Sequence, residues 1–294
     1  MFENFTSFDI TTQSDPHATI HGIQSGSGPP LLLLHGFPQT HHIWHLIAPE
    51  LTSSYTVIAL DLRGYGASSK PSGVEQYAKS VMARDIVRVM STLGHSSFYV
   101  CAHDRGARVT HKLLVDYPHL VKKAIFLDIC PTLAMYSKTD LEFAKMYWHW
   151  FFLIQKSPLP ETLISNDPRR FAELFMGGRS GGYKGFAKEA WEEYVKVLGE
   201  REAVHAMCED YRASSSIDLD ESRKDLEEGK KIKCPVQVLW GRQGVIEKCF
   251  DATKEWRAVA EEGVDVSGKS VDCGHYLPEQ APNEVLKEIR NYFH

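Results

Sequence analysis

The feature that most limits how this chain can fold is a rhythm. From residue 30 onward, short apolar runs at 31–34, 55–60, 98–101 and 123–127 alternate with helical patterns, each run about one crossover helix from the next. Runs this apolar suit strands buried on both faces, and the alternation makes the sheet mostly parallel with helices flanking it, an α/β fold. A fifth run, 236–240, follows only after a gap of more than a hundred residues. Inside that gap the texture changes. Aromatic residues crowd at 147–152, and Pro158, Pro160, Pro168 and the glycine-rich stretch 177–182 break the helical pattern. Sheet-like segments resume afterwards, so a helical cap inserted over the strand ends fits better than a separate domain. The expected division is a core of 1–130 and 228–294 with a cap of 131–227. A 294-residue chain, 43% hydrophobic and 24% charged, is long enough for one such core plus an insertion and is not a disordered chain.

Charge narrows the partners. The 33 Lys and Arg against 38 Asp and Glu give a formal charge of −5, with no basic run beyond the Lys230-Lys231 neighbourhood. Nucleic acid and anionic membrane are therefore poor partners. No apolar stretch approaches a membrane span, and the first ten residues lack the basic start and apolar region of a secretory signal. Six cysteines without a Cys-x-x-Cys pair read as reduced, mostly buried thiols. A cytoplasmic protein is expected.

In open parallel sheets, functional groups collect at the carboxyl ends of strands. After the run ending at Cys101 comes Ala102-His103-Asp104-Arg105-Gly106, then a helical pattern over 107–117 stopped by Pro118. Small residues flanking a central nucleophile mark a sharp strand-to-helix turn, here with Asp104 at the centre instead of the commoner Ser. A carboxylate at a helix N-terminus is stabilised as an anion, which suits a nucleophile and equally suits a plain N-cap. On the pentapeptide alone both readings stand. Asp128 follows the next run, and His275 sits in Asp272-Cys273-Gly274-His275-Tyr276 before a closing helix. A loop histidine there can reach a strand-end carboxylate, completing nucleophile, base and acid. His35-Gly36-Phe37-Pro38 adds a tight turn whose N–H groups can face an oxyanion.

With these motifs assembled, the chain resembles the α/β-hydrolase superfamily, in the branch of haloalkane dehalogenases and epoxide hydrolases. More closely, it resembles fluoroacetate (haloacetate) dehalogenases over nearly its whole length. The specific matches are Asp104-Arg105-Gly106 with Arg108, and Trp148-His149-Trp150; His35-Gly36-Phe37-Pro38-Gln39, Asp61-Leu62-Arg63-Gly64, Leu127-Asp128-Ile129 and Asp210-Tyr211-Arg212-Ala213 also match. The resemblance implies a haloacid dehalogenase giving glycolate and halide through a covalent ester, with no metal or organic cofactor. Asp104 would be the nucleophile, His275 the base and Asp128 its orienter. The Phe37 and Arg105 backbone N–H groups would hold the oxyanion. Arg105 and Arg108, three apart on one helix, would bind the substrate carboxylate, a geometry that guanidinium forks match; the structural alternative for either is an ion pair with Asp or Glu. His149, Trp150 and Tyr211 would donate hydrogen bonds to halide, while Trp148, Phe151 and Phe152 pack in the core.

The implied partners are a small haloacid and water, with a homodimer left open. Ala102 and Ala107 stand where relatives carry glycine, which bears on the fit near Arg108. Gly241-Arg242-Gln243-Gly244 offers no alternative acid, which favours Asp128. The rivals are an epoxide hydrolase using the same Asp-His-Asp set, and a hydrolase-fold binding protein without turnover. His35, His41, His42 and His45 crowd one segment without a metal-ligand motif, so they are expected to form plain loop and helix.

Overall fold

The computed structural model describes residues 1–179, 182 and 185–294. Its centre is an eight-stranded sheet. Five strands fall on the expected runs: β3 (Pro30–Leu34), β4 (Thr56–Leu60), β5 (Phe98–His103), β6 (Val121–Leu127) and β7 (Val236–Gly241). Three lie outside them: β1 (Thr6–Ser14), β2 (His17–Ser25) and β8 (Val266–Val271). The order is β1-β2-β4-β3-β5-β6-β7-β8. β1 pairs antiparallel with β2 and β2 antiparallel with β4, and every later pairing is parallel.

Alternation along the central strands divides the interior into two cores, because successive side chains point to opposite faces. Leu32, Leu34, Ile58, Val100, Phe126 and Val238 join one cluster, with Met82, Val109 and Trp256 from the covering helices. Leu31, Leu33, Val57, Cys101, Ile125 and Leu239 join the other, against Trp44, Leu286 and Ile289. With both faces covered, a strand has no polar side to show, which is why these runs read as continuous apolar sequence.

Register then brings the strand ends together. Leu34 lies opposite Leu60 and Ala102, and His103 opposite Leu127, which itself faces Leu239. The loops leaving β3, β5, β6 and β7 therefore open on one edge of the sheet.

Between β6 and β7 the described residues hold eight helices and no strand. The prolines that interrupt the sequence pattern begin helices: Pro160 lies in the first turn of Leu159–Asn166, and Pro168 opens Pro168–Gly178. A proline has no N–H to lose there and its φ is already helical. The glycine-rich stretch only partly breaks the pattern, since Gly177 and Gly178 end that helix; residues 180, 181, 183 and 184 lie outside the described residues. The elbow helix is Arg105–Asp116, two residues earlier than the pattern over 107–117 suggests. Among the described residues, no helix is long and apolar enough to cross a membrane.

Candidate active site

The turn from β5 into the elbow helix forces Asp104 to φ 44° and ψ −108°, a left-handed backbone for a non-glycine residue. Such strain concentrates at functional positions, where surrounding structure holds it in place. The holding contacts are close. A Cβ on Gly106 would lie 2.5 Å from the His35 carbonyl oxygen, and one on Gly36 would lie 2.5 Å from the Asp104 Cβ. Gly106 N–H donates to the His35 carbonyl at 2.8 Å, binding the elbow to the loop after β3. Asp104 occupies the N-cap position but its side chain makes no cap hydrogen bond. Its Oδ1 instead accepts from Phe37 N–H at 3.1 Å. Arg105 opens the helix, at the end where amides lack intrahelical acceptors.

Asp128 and His275 meet beside it. Nδ1 of His275 lies 2.5 Å from Asp128 Oδ2, and Asp128 Oδ1 accepts from Gly241 N–H at 2.9 Å. His103 Nε2 sits 2.9 Å from the His275 carbonyl, fixing the base loop from the strand that carries the elbow. Nε2 of His275 is buried and has no hydrogen-bond partner among the described residues. Burial, then the charges of Arg179 and His103, hold the His275 imidazolium well below its ordinary range. Burial pushes Asp128 up to about 7, against the Gly241 N–H. Burial also raises Asp104, but His275, His103, Arg105 and Arg108 outweigh it and hold that carboxyl down at about 2. Asp104 is thus an anion at any ordinary pH, next to a neutral imidazole with a bare nitrogen.

The two arginines differ sharply. Arg105 is fully engaged with Asp210: Nε reaches Oδ2 at 2.8 Å, and Nη2 reaches Oδ1 at 2.7 Å and the Asp210 carbonyl at 2.8 Å. Nη2 also donates to Ser214 Oγ at 2.6 Å, and the guanidinium lies 4.2 Å over the Tyr211 ring. Arg108 has no carboxylate partner among the described residues. It donates to Thr132 Oγ1 at 2.6 Å and to the Met135 sulfur at 3.2 Å, its Nε is buried without a partner, and it lies 4.5 Å from the Trp150 ring centre. A thioether is a weak acceptor, so the Arg108 charge is largely uncompensated.

Trp150 and His149 come from helix Trp148–Leu153, and Tyr211 from helix Arg201–Ser214. Each is at most 1% exposed. The Trp150 indole N–H and His149 Nδ1 are buried without partners among the described residues. Buried polar groups nearly always find a partner, so two orphans side by side ask for one. His149 stacks 6.5 Å from Phe37 and lies 6.0 Å from the Tyr211 ring. Burial and the Arg179 charge keep His149 neutral, well below its usual range.

Several residues depart from the sequence reading or add to it. Trp148 is not core: it is 46% exposed and lines a cavity of about 380 Å³ that also touches Asp128 and His275. Phe151 and Phe152, half-buried, do pack against the core as expected. Arg179 lines the same cavity, lying 5.0 Å from the Tyr147 ring centre while its carbonyl accepts from His275 N–H at 3.4 Å. An arginine inside a glycine-rich stretch was the available signal, masked by reading the stretch only as a helix breaker. Asp210 lay inside a matching motif but carried no role until its bond to Arg105 appeared. His41 opens a short helix, His41–Trp44, as expected of that segment, and adds a contact the sequence did not show: its Nδ1 lies 2.9 Å from Asp61 Oδ1, with His21 nearby.

A strained acidic elbow, a histidine–aspartate pair and a parallel sheet with helices inserted after β6 define a hydrolase class. The chain belongs to the alpha/beta hydrolase fold family, whose profile matches residues 29–277. Among its relatives is the fluoroacetate dehalogenase of Burkholderia sp, 40% identical over 93% of this chain and 90% of that one. The soluble epoxide hydrolase of Corynebacterium sp. (strain C12) is 32% identical over 93% of each. A solved alpha/beta hydrolase from Nostoc sp PCC 7120 superimposes with a TM-score of 0.95 at 48% identity, covering 100% of this chain and 99% of that one.

Proposed function

We propose that this enzyme is a haloacetate dehalogenase that converts a haloacetate and water to glycolate and halide. In the first half-reaction a carboxylate oxygen of Asp104 attacks the α-carbon, the carbon–halogen bond breaks, and an ester to Asp104 remains. In the second, His275 Nε2 takes a proton from water, whose oxygen attacks the Asp104 carbonyl carbon. The Phe37 and Arg105 amides face the resulting oxyanion. Collapse breaks the bond to the glycolate oxygen, which takes the proton back from His275. Asp104, now holding the water oxygen, returns as a carboxylate by losing the second water proton to solvent. Asp128 holds the His275 Nδ1 proton and so leaves Nε2 as the acceptor.

One observation carries this reading: an uncompensated guanidinium, Arg108, one helical turn from an anionic nucleophile and over the ring of Trp150, whose N–H has no partner among the described residues. An overall acidic chain otherwise repels an anionic substrate. Arg108 takes the larger share of the substrate carboxylate, and Arg105, tied to Asp210, contributes its remaining Nη1 edge and its charge. Trp150, His149 and Tyr211 donate to the departing halide. The relatedness to a fluoroacetate dehalogenase supports the same substrate class. Residues 131–227 act as the cap that carries the halide donors over the elbow. Six unpaired cysteines suit a reducing, cytoplasmic setting. Halide release from fluoro-, chloro- and bromoacetate, with diol formation from styrene oxide assayed beside it, is the test. Halide without diol is expected; diol without halide transfers the site to epoxide opening.

A further inference from the structure

A second cavity, of about 250 Å³, runs along the elbow helix, lined from that helix by Arg108, His111, Lys112 and Val115. Neither Asp104 nor His275 lines it, so it is distinct from the cavity at the triad. Its apolar walls include Leu133, Ala134 and Val259, where the first cap residues meet the helix Ala252–Ala258.

The charges around it are almost all cancelled. Lys79 pairs with Asp218 at 3.3 Å, Lys112 with Asp225 at 2.6 Å, Lys230 with Glu228 at 2.7 Å, and Lys138 with Glu255. Burial, reinforced by Lys112, holds His111 down at about 4, so it adds no charge at neutral pH. What is left is Arg108, 3% exposed, with a hydroxyl and a thioether for company, and Glu221. Glu221 Oε1 accepts from Ser80 at 2.7 Å, its Oε2 is 4.0 Å from Lys112, and burial pushes its carboxyl up towards the neutral form. A buried guanidinium without an anion at the end of an apolar-walled space is matched by a carboxylate whose body is apolar.

We propose that this cavity binds a small monocarboxylic acid with an apolar body, its carboxylate on Arg108 and its body against Val115, Leu133, Ala134 and Val259. Arg108 is then shared between two ligands, and an occupant draws its donors away from the haloacid. That effect on turnover rests on the assignment of Arg108 to the haloacid carboxylate; binding in the cavity does not.

Benzoate is the probe. Titrated calorimetrically into the Asp104→Asn protein, it should bind with a Kd below about 1 mM. Ala258→Trp fills the cavity from an exposed rim position outside the catalytic and binding machinery, and Val259→Phe fills it from the wall. Either change, made in the Asp104→Asn protein, should weaken benzoate about tenfold or more. In the parent enzyme benzoate should raise KM for chloroacetate with kcat unchanged, and in Ala258→Trp that inhibition should vanish while turnover without benzoate stays at the parent rate. No benzoate binding overturns the proposal, and so does affinity that neither variant changes, since the acid would then sit in the catalytic pocket alone. Chloroacetate turnover with variant-insensitive benzoate binding removes only the cavity. Variant-sensitive benzoate binding without haloacetate turnover removes only the haloacid reading.

Discussion

Charge at single residues decides what the site can do. Trp150 holds a buried N–H with no acceptor among the described residues. Fluoride leaves with compact charge from the strongest carbon–halogen bond, so it needs donors more than chloride or bromide does. Removing one donor that acts in the transition state costs roughly 2–4 kcal/mol. Trp150→Phe should therefore lower kcat for fluoroacetate much more than for chloroacetate or bromoacetate, as read by halide release from all three. Equal proportional losses would make Trp150 a wall of the pocket only. The titrations separate the two half-reactions. Asp104 stays charged down to about 2, whereas Asp128, pushed up to about 7, takes up its proton on the acid side of neutrality while burial keeps the His275 ring neutral there. A protonated Asp128 no longer accepts the Nδ1 proton or steadies the imidazolium that forms as Nε2 takes a proton, so ester hydrolysis falls as pH drops below about 7 while ester formation persists. Rapid-quench halide release at mildly acidic pH should show a burst stoichiometric with enzyme, followed by slow turnover; uniform slowing with no burst would contradict this order of events.

Elements place these residues, and here legibility was uneven. The five buried strands and the elbow could be read because burial on both faces leaves an unbroken apolar run and a tight turn leaves small flanks. β1 and β2 escaped because an exposed edge hairpin such as Thr6–Ser14 alternates with polar residues and has no run to show. β8 escaped because its middle, Ser267 to Ser270, is polar and partly exposed. Asp104, Asp128 and His275 were legible as motif-bearing loop residues after strands. The different fates of Arg105 and Arg108 were not, because spacing places both side chains near Asp104 but cannot say that Asp210 comes back from 105 residues away to claim one of them. The close fit of the loop after β3 against the elbow makes its own prediction. A Cβ at Gly36 would also meet Asp104 Oδ1 at 2.7 Å and Arg105 N at 3.0 Å. Overpacking of this kind costs about 1–3 kcal/mol. Gly36→Ala should lower the urea midpoint by a matching amount and reduce kcat, because the Phe37 N–H is displaced; a fully active, equally stable variant would show that the loop yields freely.

Across the whole molecule, the same Asp210 fastens the inserted helices to the core. It lies on helix Arg201–Ser214 and is 0% exposed, between Arg105 and Lys79 of the core. Burial raises its carboxyl, yet Arg105 and Lys79 outweigh burial and hold it well below the usual range. A carboxyl depressed in the folded state stabilises above its unfolded pKa, near 3.9, and that stability is lost as pH falls below it. Removing one partner of a buried pair costs about 3–5 kcal/mol. Asp210→Asn should therefore lower stability at pH 7 by that order and flatten the loss of stability below pH 4, as followed by urea unfolding at several pH values. An unchanged acid slope would assign it to other carboxylates. The central claim is that Asp104 carries the substrate as an ester and is hydrolysed at its own carbonyl. One turnover of the intact chain in ¹⁸O-water, with excess enzyme over chloroacetate, tests it directly by mass spectrometry. The account predicts one ¹⁸O in the peptide containing Asp104 and unlabelled glycolate. Label in glycolate after that single turnover, with none on Asp104, would mean that water attacks the substrate directly.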